Sequence, residues 1–185
     1  MKTTGLGKIA DYKFPTTVDG YGVRGAIYVS GCIFNCDGCY NKSIQNFRNG
    51  ENFTEELKQT ILSDMAKSYV DGLTLLGGDP FLNTTTVIPL AREVKELGKT
   101  VWSWTGFTLE ELLEGSTDQL ELLSYVDILV DGQFDHTKFN PNLVFRGSYN
   151  QRIIDVNLSL AHNKVCLWND GAYEKEEEHI SVPLP

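Results

Sequence analysis

Short apolar runs rich in β-branched residues alternate along the chain with longer segments of helical periodicity. Four runs each predict a buried strand: residues 26–30, 73–76, 100–104 and 127–130. Four intervening segments predict helices: residues 54–68, 86–97, 108–115 and 117–125. A further short edge strand is expected near residues 9–14. Because strands alternate with helices, we predict parallel strands joined by right-handed crossovers.

Individual residues mark the ends of these helices. Thr54 is suited to cap the first helix, and Thr108 with Glu111 forms a capping-box pattern for the third. Gly98 follows the second helix and is a good C-terminal stop. Near the chain end, Val156, Leu158 and Leu160 alternate with polar residues, which predicts a terminal hairpin around residues 161–164.

The number of strand–helix units limits the fold class. A complete eight-unit barrel typically needs ~250 residues, whereas this chain has 185. We therefore expect an α/β fold in the form of an open partial (βα) barrel with mostly parallel strands. A doubly wound flat sheet is the alternative, because the pattern does not show whether the sheet curves. We expect one domain over residues 1–185, with an acidic tail at about 173–185.

Composition and charge restrict the partners. The net charge of -9 and the absence of clustered Lys and Arg argue against nucleic acid. No apolar run approaches the roughly 20 residues of a membrane span, and the N-terminus lacks the apolar segment of a secretory leader. We therefore expect a cytoplasmic location, where clustered cysteines more often bind metal than form disulfides. The sequence leaves open whether the chain forms a homodimer.

Three of the four cysteines lie within eight residues, directly after the first predicted buried strand. Cys32, Cys36 and Cys39 have the spacing C-x3-C-x2-C. Structural zinc sites use four ligands, and the remaining cysteine and the histidines are far away in sequence. A ferredoxin-type cluster also takes four thiolates. Three cysteines suit a [4Fe-4S] cluster with one iron left open, and a zinc-binding module is the non-enzymatic alternative.

This cysteine spacing resembles that of the radical S-adenosylmethionine enzymes. Gly77-Gly78-Asp79-Pro80, at the end of the second buried strand, looks like the Gly-Gly-Glu-Pro motif of that superfamily. The resemblance implies that the open iron binds the methionine amino and carboxylate groups of S-adenosylmethionine. It further implies that the reduced cluster cleaves this cofactor to a 5′-deoxyadenosyl radical, the cofactors supplying the difficult chemistry.

A closer resemblance, over about residues 17–155, is to the family of activating enzymes of anaerobic ribonucleoside-triphosphate reductases. It rests on these segments: Val18-Asp19-Gly20, Gly22-Val23-Arg24, Val29-Ser30-Gly31-Cys32, Gly38-Cys39-Tyr40-Asn41-Lys42-Ser43, Leu73-Thr74-Leu75, Gly77-Gly78-Asp79-Pro80, Trp102-Ser103-Trp104-Thr105-Gly106, Leu129-Val130-Asp131-Gly132, Arg146-Gly147-Ser148 and Asn150-Gln151. The resemblance implies hydrogen abstraction from a glycine Cα of the large reductase subunit, which then holds a glycyl radical. It also implies a low-potential electron donor, which the sequence does not identify.

The resemblance assigns roles to particular residues. Cys32, Cys36 and Cys39 are the implied cluster ligands, and Gly38, Cys39 and Tyr40 are implied to line the adenosine side. The implied contacts to the methionine part come from Gly77, Gly78 and Asp79, with Asp79 acting mainly through its backbone. Ser103, Thr105 and Asp131 end later strands and could reach the methionine carboxylate or the ribose, or could simply cap strand ends.

Another reading of the same motifs is a small radical enzyme that acts on a metabolite such as a deazapurine precursor. Such an enzyme should carry additional polar residues that bind its substrate, and the segments between the predicted strands contain few candidates. A protein substrate instead requires an open side of the partial barrel, where the reductase can insert its glycine.

Overall fold

The structure is a computed structural model that describes residues 7–169 of the chain. Its strands are β1 (Lys8–Thr16), β2 (Arg24–Val29), β3 (Glu51–Asn52), β4 (Gly72–Gly77), β5 (Thr100–Trp104), β6 (Ile128–Asp131) and β7 (Arg152–Asp155). Its α-helices are α1 (Glu55–Met65), α2 (Thr84–Glu96), α3 (Leu109–Leu113), α4 (Thr117–Tyr125) and α5 (Val156–His162). Short 3₁₀ turns lie at Lys42–Gln45, Pro80–Leu82 and His136–Lys138.

All the strands belong to one sheet with the order β3-β1-β2-β4-β5-β6-β7. The four central strands β2, β4, β5 and β6 run parallel, and each connection between them contains at least one α-helix. Strands β1 and β7 pair antiparallel on either side of this parallel centre. Since β3 and β7 end the order without pairing to each other, the sheet is open. The prediction of an α/β fold with a parallel, unclosed centre is confirmed.

Helices α1, α2 and α4 form a layer against one face of the sheet. Helix α2 contacts both of the others and also β4 and β5. The sheet residues under this layer are fully buried, and they include Ile27, Val29, Leu73, Leu75, Val101 and Leu129. A doubly wound sheet carries helices on both faces, whereas these three helices share one face. Curvature of the sheet into a partial barrel stays a prediction.

The helix ends follow the predicted local signals. The Thr54 hydroxyl accepts a hydrogen bond from the Leu57 amide at 3.1 Å, which satisfies one otherwise unpaired amide of the first turn. Thr108 and Glu111 form the predicted capping box at the start of α3. Gly98 has φ +72°, the left-handed conformation that ends many helices.

The Arg24 side chain is buried on the other face of the sheet, 1% exposed. Its Nε donates to Thr74 Oγ1 at 2.8 Å and its Nη2 donates to the Leu73 carbonyl at 2.8 Å. The guanidinium also lies over the Trp102 ring, 5.6 Å from its centroid. Burial lowers the pKa of Arg24 to about 10. The role of Arg24 is therefore to join β2, β4 and β5.

The predicted terminal hairpin is wrong. Residues Val156–His162 form helix α5, for which the Asp155 carboxylate is the N-cap, accepting from the Leu158 amide at 2.8 Å. Asn163 ends the helix in the left-handed conformation. After the helix, the chain runs back beside β7, where Leu167 forms an isolated antiparallel bridge to Ile154. Three alternating apolar residues were too short a pattern to distinguish a strand from two helical turns.

Two remaining predictions concern the acidic tail and membrane-spanning helices. The acidic tail at about 173–185 lies outside the described residues. Within residues 7–169, no helix is long and apolar enough to cross a membrane.

Candidate functional site

The cysteine loop, residues 31–41, begins where β2 ends. Gly31 has φ +107°, and a Cβ there would collide with the Phe47 ring, so the turn requires glycine. The Gly31 amide donates to the Ile44 carbonyl at 2.8 Å, and the Cys32 amide donates to the Gln45 carbonyl at 2.9 Å. These bonds fix the start of the loop against the 3₁₀ turn Lys42–Gln45.

The three clustered cysteines line one cavity of about 600 Å³ at the carboxyl ends of the parallel strands. All three side chains are half-buried and free of disulfides. Burial raises the pKa of the Cys32 and Cys36 thiols, and the neighbouring thiols raise it further. The cavity volume lies within the roughly 300–1,000 Å³ typical of small-molecule sites.

The glycine segment, residues 77–79, forms the adjoining wall of the cavity. The Gly78 amide donates to the Val29 carbonyl at 2.7 Å, and the Asp79 amide donates to the Gly31 carbonyl at 2.8 Å. A Cβ on Gly77 would collide with the Val29 carbonyl, and one on Gly78 would collide with the Gly31 carbonyl. Glycine therefore permits the segment to lie directly against the start of the cysteine loop.

The Asp79 carboxylate is buried, 1% exposed, and turned toward the loop after β5. It accepts hydrogen bonds from the Phe81 amide at 2.9 Å, the Gly106 amide at 2.9 Å and the Thr105 hydroxyl at 3.0 Å. Burial raises the pKa of Asp79 to about 6, and these donors oppose the rise. The carboxylate thus holds the ends of β4 and β5 together. A backbone contact from Asp79 to the methionine part stays a prediction.

Thr105 lines the cavity, but Ser103 and Asp131 are not among its lining residues. Ser103 aligns in the sheet with Leu75 and Leu129, both in the helix-facing core. The alternation of side chains along a strand therefore turns Ser103 away from the cavity. Its hydroxyl is buried and has no hydrogen-bond partner within the described part of the chain.

Asp131 has a structural environment instead. Its carboxylate accepts from the Leu109 amide at 2.8 Å, at the start of α3, and from Arg152 Nε at 3.0 Å. Arg152 also binds Glu110 and lowers the pKa of that carboxyl. Burial raises the pKa of Asp131 despite the guanidinium beside it. These contacts correspond to capping of the end of β6. They also give Arg152 a structural role as the ion-pair partner of Asp131 and Glu110.

Gly38 and Tyr40 lie at the mouth of the cavity with Cys39. Gly38 adopts φ +71°, and Tyr40 is fully exposed. The side chain of the next residue, Asn41, donates to the Gly77 carbonyl at 3.4 Å and so joins the cysteine loop to the glycine segment. Asn41 lines the cavity, and no role is predicted for it from sequence.

Sequence reasoning missed the opposite wall of the cavity, residues 132–151. The residues of this wall segment that line the cavity are Gly132, Gln133, Phe134, His136, Phe139, Gly147 and Gln151. Gln151 holds the segment together, since its Nε2 donates to the Gly132 carbonyl at 3.0 Å and its Oε1 accepts from the Gly147 amide at 2.9 Å. The family resemblance includes segments 146–148 and 150–151 without assigning them a role. These segments are the sequence signal that could have located this wall.

The donor set suits a cluster better than a single metal ion. Within residues 7–169, no three His, Cys, Asp or Glu side chains are grouped to hold one metal ion. A four-iron cluster does not require thiolates to converge on one ion, because each cysteine ligates a different iron. Three half-buried thiols that line one cavity of about 600 Å³ can each ligate a different iron.

Comparison with known proteins identifies the family. A family model described as a 4Fe-4S single cluster domain matches residues 18–154. The anaerobic ribonucleoside-triphosphate reductase-activating protein of Pasteurella multocida (strain Pm70) is 43% identical over 147 residues, covering 76% of this chain and 92% of that protein. The chain belongs to this family of activating proteins. The predicted family and the [4Fe-4S] domain are thereby confirmed.

Two further members of the activating-protein family show similar coverage. The protein of Enterobacteria phage T4 is 41% identical over 140 residues, covering 74% of this chain and 86% of the phage protein. The protein of Escherichia coli (strain K12) is 36% identical over 140 residues, covering 72% and 89% respectively. These relatives give no support to the alternatives of a metabolite-directed enzyme or a zinc module.

Proposed function

We propose that this chain installs a glycyl radical on an anaerobic ribonucleoside-triphosphate reductase, using a [4Fe-4S] cluster and S-adenosylmethionine. The observation that carries the proposal is that three cysteine thiols and a glycine segment share one cavity in a member of the activating-protein family. The cavity lies at the carboxyl ends of parallel strands, where α/β proteins bind ligands.

Cys32, Cys36 and Cys39 would hold the cluster and leave one iron for S-adenosylmethionine. When bound, the two cofactors supply a one-electron cleavage whose 5′-deoxyadenosyl product takes hydrogen from a glycine Cα. The protein contributes a half-buried cavity that limits the access of water to this chemistry. The electron donor is unidentified, so a chemical reductant replaces it in the experiments below.

The walls on either side of the cysteines would orient S-adenosylmethionine. Gly77, Gly78 and Asp79 present backbone atoms at the cavity edge, and Thr105 lies beside them, so this side suits the methionine part. Gly38, Cys39 and Tyr40 at the mouth suit the adenosine part. The Asp79 carboxylate fixes the glycine segment relative to the end of β5, because it accepts hydrogen bonds from the Thr105 hydroxyl and the Gly106 amide.

A protein substrate is supported by the apolar rim, which we define as Tyr40 and Phe139. Both residues line the cavity, yet Tyr40 is fully exposed and Phe139 is 57% exposed. They belong to opposite sides, the cysteine loop and the wall segment. Exposed aromatic side chains at a cavity mouth are typical of surfaces that bind other proteins. The rim would receive the segment of the reductase that carries the target glycine.

The radical step is tested by anaerobic reconstitution with iron and sulfide, followed by reductant and S-adenosylmethionine. We expect 5′-deoxyadenosine from the wild type and none from Cys36→Ala. Cys166→Ala is the matched control, since Cys166 lies after α5 and outside the cavity lining, and it should retain the activity. Absence of 5′-deoxyadenosine from a fully reconstituted wild type would refute the proposal, as would its formation by Cys36→Ala.

A thiol-ligated cluster that must be reduced is suited to the cytoplasm, and we propose that location. Whether the active form is a homodimer stays a prediction to be tested by the mass of the reconstituted protein in solution.

A further inference from the structure

The wall segment touches the cysteine loop at Cys36. Gln133 Oε1 lies 4.0 Å from Cys36 Sγ, although the two residues are 97 positions apart. The adjacent Phe134 amide also donates a hydrogen bond to the Cys36 sulfur. Cys36 is thus contacted by a side chain and a backbone group of one strand-end segment, which follows β6 and is remote from the cysteine loop in sequence.

Several hydrogen bonds hold this contact in place. The Gln133 carbonyl accepts from Asn150 Nδ2 at 2.8 Å, and the Gly132 amide donates to the Phe107 carbonyl at 2.9 Å. The Phe134 ring packs edge-on against Phe139, with 6.1 Å between centroids. Because the backbone on both sides of Gln133 is fixed, its side chain reaches Cys36 from a defined position.

We propose that Gln133 is a positioning residue for the Cys36 sulfur and sets the reduction potential of the cluster. In the thiol form, the Cys36 S–H donates to Gln133 Oε1. A thiolate bound to iron has no proton to donate, so its sulfur would repel that oxygen. Rotation of the amide by half a turn presents Nε2–H to the sulfur instead, and an amide supports either arrangement.

The consequence of such a bond is electrostatic. Hydrogen bonds to the sulfurs of an iron–sulfur cluster stabilise the more negative reduced form and raise its potential. Gln133 would add a side-chain donor to the one already supplied by the Phe134 amide. The inference rests on the cluster ligands proposed above, but not on the identity of the protein substrate.

The test is an anaerobic redox titration of the reconstituted protein, followed by EPR of the reduced cluster, without S-adenosylmethionine or reductase. Gln133→Leu removes the donor, and Gln133→Glu places a carboxylate of the same shape beside the sulfur. We expect Gln133→Glu to favour the oxidised cluster by about tenfold, equal to about 59 mV for one electron. Gln133→Leu should shift the potential in the same direction by less.

Gln59→Leu is the control, because Gln59 is exposed on α1 and does not line the cavity, so this change should leave the potential unchanged. The EPR signal of each sample is normalised to its iron and sulfide content. If Gln133→Leu loses its cluster, the near-isosteric Gln133→Glu variant decides the outcome. An unchanged potential in Gln133→Glu would overturn the proposal, and so would an equal shift in Gln59→Leu. Failure of wild-type S-adenosylmethionine cleavage would instead count against the proposed function.

Discussion

The amide of Asp79 donates a hydrogen bond to the carbonyl oxygen of Gly31 at 2.8 Å. This bond joins the end of β4 to the first residue of the cysteine loop, so the glycine segment and the three thiols are held in one register. The proposed orientation of S-adenosylmethionine relative to the cluster depends on that register, and the first prediction tests it.

Replacing Gly78 by alanine should disrupt the register. The new Cβ would lie 2.5 Å from the Gly31 carbonyl carbon and 2.7 Å from its nitrogen, so one segment must move. A displacement of about 1 Å at a reacting centre costs on the order of 100-fold in rate. We expect that loss in 5′-deoxyadenosine formation, with the cluster retained.

The control for this variant is Gly98→Ala, at the end of α2. Gly98 has φ +72° with nothing near its missing Cβ, so alanine there is strained by about 1–2 kcal/mol without contacting the site. It should lower the free energy of unfolding while turnover of the folded protein stays normal. Equal turnover in Gly78→Ala and Gly98→Ala would show that the glycine segment does not orient the cofactor.

The buried carboxyl of Asp79 predicts a pH-dependent stability. Its pKa rises from 3.8 to about 6 on folding, so the folded chain binds a proton that the unfolded chain has lost between these values. This contribution to stability is fully present below about pH 4 and is lost as the pH rises through 6. The whole effect is on the order of 2–3 kcal/mol.

Denaturant unfolding of the iron-free protein between pH 4.5 and 7.5, a range chosen to bracket a pKa of about 6, measures this contribution. We expect the wild type to lose stability with rising pH relative to Asp79→Asn, which cannot ionise. The difference between the two proteins should level off above about pH 7. Parallel pH profiles would mean that the Asp79 carboxyl is ionised throughout.

The predicted fold came from patterns that are local in sequence. Residues 100–104 and 117–125 match β5 and α4 because an apolar run or a capped amphipathic segment determines its own conformation. Helix α5 was missed because its N-cap, Asp155, is also the last residue of β7, and two turns display little periodicity. Local signals thus sufficed where an apolar run or a capping pattern marks the element.

The site was predicted only where motifs lie at strand ends. The cysteine loop and the glycine segment follow neighbouring parallel strands and lie together, because the carboxyl ends of such strands meet at one edge. The roles of their residues stay predictions. Asp131 followed the same rule but is engaged by Arg152, 21 residues later, and no local signal reveals that pairing. The wall segment depends on hydrogen bonds of Asn150 and Gln151 across almost twenty residues, which sequence patterns do not encode.

The apolar rim predicts separable effects on the two halves of the reaction. Phe139→Ser should leave 5′-deoxyadenosine formation without reductase within about twofold of wild type, since the Phe139 side chain is exposed and its ring packs against Phe134 of the wall segment. Activation of the reductase should fall about tenfold, the effect of losing an aromatic contact worth about 1.4 kcal/mol. Leu97→Ser, at an exposed position after α2, is the control and should change neither. Parallel loss of both activities in Phe139→Ser would contradict a docking role for the rim.

The central claim is that the reductase receives the radical, and EPR of the reductase tests it most directly. The reconstituted protein is mixed anaerobically with reductant, S-adenosylmethionine and an anaerobic ribonucleoside-triphosphate reductase, and the spectrum is recorded. We predict a glycyl-radical doublet that requires every component and disappears with Cys36→Ala but not with Cys166→Ala. Formation of 5′-deoxyadenosine without any doublet on the reductase would contradict the account.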